Sequence, residues 1–203
     1  MSQSILQTIR AEHDVLRSIQ DMLLETSGHT GIREQLWFRL KTELLAHAHA
    51  EEKALYDDLT DIDESRHTAE HSVEEHDAIE ELIQQLDHLG FDQPEWLNTL
   101  KRLVEVSNHH LEEEEVELFP LAGRVLSDAA KRQATDRYRR IKTAYLGRQD
   151  HRTTHEGRDG RTLDALSIDE LRTKARDQGM AGVGQFSRSE LVSQLRGAPG
   201  TDA

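Results

Sequence analysis

The sequence predicts an all-α protein: an up-down-up-down four-helix bundle with an additional C-terminal helix, a linker and a small helix-turn-helix appendage. Three observations lead there. Apolar residues recur at three- and four-residue spacing through four long segments separated by short Gly-, Pro- and Asp-containing breaks. With 35% hydrophobic, 32% charged and 4% aromatic residues in 203, the chain can coat one stripe per helix but cannot fill a thick sandwich. A single unit is also used twice. His47-x-x-x-Glu51 and His110-x-x-x-Glu114 lie 63 residues apart, as do Glu12-His13-Asp14 and Glu75-His76-Asp77, and within each half the histidines are separated by 34.

Ser4 can cap a first helix reaching about Thr26, whose stripe runs Ile5, Ile9, His13, Leu16, Gln20 and Leu23. Gly28 and Gly31 interrupt the chain. A second helix, about Ile32 to Leu59, places Leu36, Leu40, Leu44, His47, Glu51 and Leu55 on one face. Asp61 to Glu64 is a turn, and a third helix to about Leu89 aligns Val73, His76, Ile79, Ile83 and Leu86. Gly90 ends it, and Pro94 suits the first turn of the fourth helix, which carries Leu100, Leu103, Ser107, His110, Glu114 and Leu118. Pro120 is expected to kink or end that helix. Ser127-Asp128 can cap a fifth, to about Leu146. Trp37 and Trp96 are read as core.

Residues 147–160 contain no aliphatic residue and read as a flexible linker. The segment 161–197 follows, with Leu163, Leu166, Leu171 and Ala175, a break at Gly179–Gly184, then Phe186, Leu191, Val192 and Leu195. Two short helices joined by a turn are expected there, with a tail at 198–203.

The net charge is −14, and residues 1–146 carry 16 Lys/Arg against 30 Asp/Glu. An acidic body disfavours unaided binding to a phosphate backbone and is compatible with cations. No apolar run approaches the roughly 18 residues of a membrane helix, and the N-terminus lacks a basic-then-apolar signal, so a cytoplasmic address without membrane attachment is expected. The absence of cysteine leaves only N and O donors for any metal.

Six side chains competent to bind metal sit in apolar stripes: His13, His47, Glu51, His76, His110 and Glu114. Buried carboxylates without partners cost several kcal/mol each, so the set makes sense when cations neutralise it. The internal repeat assigns His13 and His47 to one ion, and His76 and His110 to another, with Glu51 and Glu114 placed to bridge. Imidazole and carboxylate suit iron, and manganese or zinc as well. Two imidazoles per ion leave positions for water, dioxygen or peroxide. Glu52 and Glu115, at +5 from their histidines, are expected off the ligand face, and Glu112, Glu113 and Glu115 on a solvated one. Tyr56 is expected to pack beside its counterpart Phe119, with a redox or hydrogen-bonding reach into the site as the alternative. His49, His67, His71, His88 and His109 have no partner at the 63-residue offset and are read as surface histidines. The basic run Arg137, Arg139, Arg140 and Lys142 is read as a solvated helix end.

This set, with the trailing Leu55-Tyr56 and Leu118-Phe119-Pro120, resembles the hemerythrin family, specifically its HHE cation-binding branch, over roughly residues 4–146. The resemblance implies a four-helix bundle holding a non-haem diiron centre, two iron ions with an oxo or hydroxo bridge and the two glutamates spanning them. It also implies roles in oxygen carriage, in sensing of oxygen, nitric oxide or iron, in iron–sulfur repair, or in peroxide decomposition. Oxygen carriers of the family add a histidine on the third helix. His71, five residues before His76, projects about 140° away from it and does not supply that group. The N-terminal cysteine element of the repair branch is absent too. The expected function is therefore reaction with hydrogen peroxide or dioxygen, catalase-like or in oxidative-stress defence. The metal centre itself is expected to be the reactive group, and no separate acid–base side chain is assigned. Residues 161–197 resemble the N-terminal helical module of the Rho termination factor, related in shape to SAP modules. That supports an alternative, a non-enzymatic oxygen, nitric oxide or iron sensor signalling to nucleic acid or protein through the appendage. Metal buffering without turnover is a third reading.

Overall fold

The computed structural model describes residues 4–26 and 30–155, together with Leu171, Ala175, Leu191, Val192 and Leu195. By contacts the chain divides into two compact units, Met1–Gly147 and Arg148–Ala203. The described residues are helical, and no strand occurs among them. Helix α1 spans Ile5–Leu24 and starts at a capping box, in which the Ser4 side chain accepts from the Gln7 amide while the Gln7 side chain reaches back to the Ser4 amide. Helix α2, Thr30–Glu51, passes through a π-helical turn at Glu52–Tyr56 into the short α3, Asp57–Thr60. Helix α4 spans Asp63–Asp87. Helix α5, Pro94–Glu113, likewise passes through a π-helical turn, Glu114–Leu118, into α6, Phe119–Val125, and α7 spans Asp128–His155.

Helix α1 packs on α2 and α5, and α4 packs on the same two, closing a four-membered bundle. Its core is split in two by a polar belt. On one side lie Leu16, Ile19, Leu23, Leu40, Leu44, Ile83, Leu86 and Leu100, with Trp37 and Trp96 edge-to-face at 5.9 Å. On the other lie Ile5, Ile9, Leu55, Leu59, Leu118, Phe119, Ala134 and Tyr138. Along α1 the sequence of buried positions reads Ile9, His13, Leu16; along α5 and its extension it reads Leu103, His110, Glu114, Leu118. The belt thus sits mid-bundle, between two apolar plugs that keep water from entering along the bundle axis.

Three expectations change. Pro120 neither ends nor breaks its helix, because the wide π-helical turn precedes it and Pro120 falls in the first turn of α6, where a missing N–H costs least. The fifth helix continues past Leu146 to His155, since the segment after Gly147 contains no proline or further glycine until Gly157. The basic run on α7 is not merely solvated. Arg137 donates to the Ala54 carbonyl and pairs with Asp58, and Lys142 pairs with Glu12 and Glu43. Of the appended segment, Leu171, Ala175, Leu191, Val192 and Leu195 are helical and buried; the rest of the expected module, the remainder of the linker and the tail lie outside the described residues. No described helix is long and apolar enough to cross a membrane.

Candidate metal centre

Helices α1, α2, α4 and α5 each contribute a histidine to the belt, and the ends of α2 and α5 add the glutamates. The structure brings all six sequence-predicted residues together and buries them: His13, Glu51, His110 and Glu114 are at most 1% exposed, His47 2% and His76 6%. Two overlapping donor groups result, one of His13, His47, Glu51 and Glu114, the other of Glu51, His76 and His110. Glu51 belongs to both.

The inward atoms are the imidazole Nε2 nitrogens and the carboxylate oxygens. His13 Nε2 lies 3.1 Å from Glu114 Oε2, and His47 Nε2 lies 3.2 Å from Glu51 Oε1. His76 Nε2 is 3.5 Å from Glu51 Oε2, and His110 Nε2 is 3.7 Å from Glu114 Oε2. The Nε2 atoms of His76 and His110 are only 3.0 Å apart. Donors sharing one ion at about 2.1 Å stand roughly 3.0–3.5 Å from one another, which is close to these separations.

Each histidine is held from behind by a carboxylate. His13 Nδ1 donates to Glu115 at 2.8 Å, His76 Nδ1 to Glu52 at 3.0 Å, and His110 Nδ1 to Glu75 at 2.9 Å. His47 Nδ1 is shared between Glu12 at 3.3 Å and the Tyr138 hydroxyl at 2.9 Å, and Tyr138 itself donates to Glu12. The four contacts run in a ring, from α1 to α2, from the α2 extension to α4, from α4 to α5, and from the α5 extension back to α1. An ionised carboxylate only accepts, so every Nδ1 carries a proton and every Nε2 can turn a lone pair inward. These four glutamates are the residues that sequence reasoning missed. Glu52 and Glu115 do lie off the ligand face of their own helices. They serve the histidine of the neighbouring helix instead, so the solvated face expected for Glu115 is wrong.

Fixed carboxylates and burial set the ionisation. Burial would push Glu12 up, yet hydrogen bonds from His47 and Lys142 hold it below the usual carboxylate range. Glu52 is lowered mainly by the His76 hydrogen bond. Burial likewise opposes, and His13 with Arg17 overcomes, to leave Glu115 low. For the inner groups, burial alone would lower His13 and His76. Glu114 and Glu51 raise His13 to about 10, and Glu51 with Glu52 raises His76 to about 9. Burial opposes ionisation of Glu51 too, but His47, His13 and His76 hold it well below the normal range. Positive charge in the belt is therefore demanded by the carboxylates, whether protons or metal ions supply it.

The internal repeat is broken at one position. Phe119 stacks on His13 at 5.6 Å and Tyr56 stacks on His76 at 5.5 Å, but the Tyr56 hydroxyl also donates a short hydrogen bond to Glu114. Tyr56 thus reaches the site rather than only packing. Burial first, then Glu114 and Glu51, push its phenol well above the ordinary range, so it stays a donor. One turn before His76, the position that an extra third-helix histidine would need is Ser72, whose hydroxyl donates to the Thr68 carbonyl. His71 and His109 are at the surface, with 53% and 66% of their side chains exposed.

The fit of a cation can be judged from what the site leaves unsatisfied. His13 Nε2, His47 Nε2, both oxygens of Glu51 and Glu114 Oε2 are buried without any hydrogen-bond partner. Such orphaned atoms are expensive singly, and here five converge. The sequence profile of the hemerythrin HHE cation binding domain matches residues 4–122. The chain belongs to that family. Its hemerythrin-like belt is a metal-binding arrangement of N and O donors, of the kind for which the family is described. No significant match was found among curated proteins or among solved structures.

Proposed function

We propose that the belt holds two iron ions and that the protein reacts with hydrogen peroxide or dioxygen, in a catalase-like or oxidative-stress role. The observation that carries this reading is the convergence of five orphaned buried donor atoms, with Glu51 common to both donor groups. His13 and His47 would hold one ion and His76 and His110 the other, with Glu51 and Glu114 between. An iron pair so bound supplies two-electron redox chemistry toward an oxygen-derived substrate.

The chain's own residues fix how that chemistry is approached. Glu12, Glu52, Glu75 and Glu115 orient the imidazoles and raise their donor strength. Tyr56 keeps a proton on its hydroxyl at Glu114, on one side of the centre only. The place of an additional third-helix histidine is taken by Ser72, which leaves the His76 side with fewer nitrogen donors and favours turnover over reversible carriage. A cleft of about 160 Å³ between α2 and α4, lined by Leu44, Ala48, Glu52, His76, Ile79 and Tyr145 among others, brings solvent to the edge of His76 and Glu52. Its size suits small molecules.

The test is peroxide disproportionation by iron-loaded protein, followed as oxygen release. Wild type is expected to exceed an equal concentration of free iron, and Glu114→Ala to fall to the free-iron rate. Equal rates for all three would overturn the proposal.

A further inference from the structure

A second group of metal-competent side chains lies outside the belt, where α4 and α5 run side by side. His71 and Glu75 are one turn apart on α4, and His109 and Glu113 are one turn apart on α5, so the His-x-x-x-Glu spacing recurs twice on the surface. His71, Glu75 and Glu113 form one compact donor group, and His109 approaches its two carboxylates. His71 Nε2 is 3.7 Å from Glu113 Oε2, and His109 Nδ1 is 3.6 Å from that same oxygen and 3.6 Å from Glu75 Oε1. These separations are too long for hydrogen bonds. They are close to the separation of about 3.4 Å between neighbouring donors that share an ion at about 2.1 Å.

A further feature points to a missing cation. Glu113 Oε2 is buried and has no hydrogen-bond partner, although the rest of its side chain reaches solvent. Glu75 is held in place by its other oxygen, which accepts from His110 Nδ1 at 2.9 Å. Its Oε1 is thereby presented outward without further ordering.

The geometry points to a solvent-facing site for one divalent transition-metal ion, formed by His71, Glu75 and Glu113 with His109 at its edge, outside the buried belt. Two imidazoles and two carboxylates select zinc, cobalt or ferrous iron over magnesium or calcium, which take oxygen donors. The assignment does not depend on what the buried centre holds.

Zinc titration of the iron-loaded full chain, with bound zinc counted by elemental analysis after desalting, tests it. Wild type is expected to retain one zinc ion more than a His71→Ala/His109→Ala variant, whose exposed substitutions leave the core intact. Glu113→Gln, which keeps the shape and removes the shared charge, is expected to lose the same ion. The comparison is repeated in a Glu51→Gln/Glu114→Gln background, where the one-ion difference is expected to persist. Equal zinc retention by wild type and the double histidine variant overturns the site. So does a difference that vanishes in the glutamine background, because the extra ion would then belong to the belt.

Discussion

Replacing Glu115 by glutamine leaves an oxygen that can still accept from His13 Nδ1 but removes the charge behind it, and the Arg17 ion pair with it. Carboxylates in this position typically change metal affinity by about 10- to 100-fold. Glu115→Gln is therefore expected to weaken metal retention by roughly that factor, read by competition with a chromophoric chelator. Glu112→Gln, a neighbour that contacts no histidine in the belt, is expected to leave it unchanged. Tyr56→Phe restores the symmetry with Phe119; it is expected to keep the metal stoichiometry of wild type while altering the rate of peroxide consumption. An unchanged rate would place Tyr56 back among packing residues. At this scale the sequence was legible where the repeat spoke. The six inward residues stand out because polar groups interrupt an apolar stripe at equal offsets. Glu12, Glu52, Glu75 and Glu115 carry the same offset, yet reasoning confined to one helix face discounts them, because their targets lie on the adjacent helix. Tyr138 gave no signal, since it comes from α7, which has no counterpart in the repeat.

Among the elements, the long helices follow from periodicity, and Ser4 and Ser127 cap where the sequence puts them, whereas α4 starts after Ile62 without a side-chain cap. The two π-helical turns were not legible. Glu-Lys-Ala-Leu-Tyr and Glu-Glu-Val-Glu-Leu have ordinary helical propensities, and what the two turns share is their place, at or directly after an inward glutamate. Each wide turn takes up one extra residue at or after its inward glutamate, so that Leu55, Leu59, Leu118 and Phe119 still reach the core cluster that contains Ile5, Ile9 and Tyr138. Inserting one alanine after Val116 should exceed what the second wide turn can absorb and rotate everything after it by about 100°. Leu118 and Phe119 would leave their sites, a loss on the order of 3–5 kcal/mol by urea denaturation, accompanied by loss of bound metal. Val116 itself is 66% exposed, so Val116→Ala is expected to stay within about 0.5 kcal/mol of wild type. If the insertion were as mild as the substitution, the register set by the wide turn would be incidental.

For the molecule as a whole, the belt makes stability a function of what cation fills it. In metal-free protein the charge must come from protons. His13 and His76, raised from an ordinary 6.5 to about 10 and about 9, contribute stability that is fully present below 6.5 and is lost as pH rises through those values. Glu51 acts in the opposite sense: held low in the fold, it contributes above its ordinary 4.5 and loses that contribution as pH falls further. Chelator-treated protein is therefore expected to be most stable between about pH 4.5 and 6.5, and to weaken by a few kcal/mol toward pH 10. Metal-loaded protein reverses the alkaline limb. The ions replace the Nε2 protons, loading releases protons to solvent, and deprotonation of the imidazoles now favours the bound state. Urea midpoints measured at pH 6, 8 and 10 with and without metal should thus diverge as pH rises, with the gap largest at pH 10. Parallel curves would mean that the buried histidines and glutamates are neutralised by something other than the cations they surround.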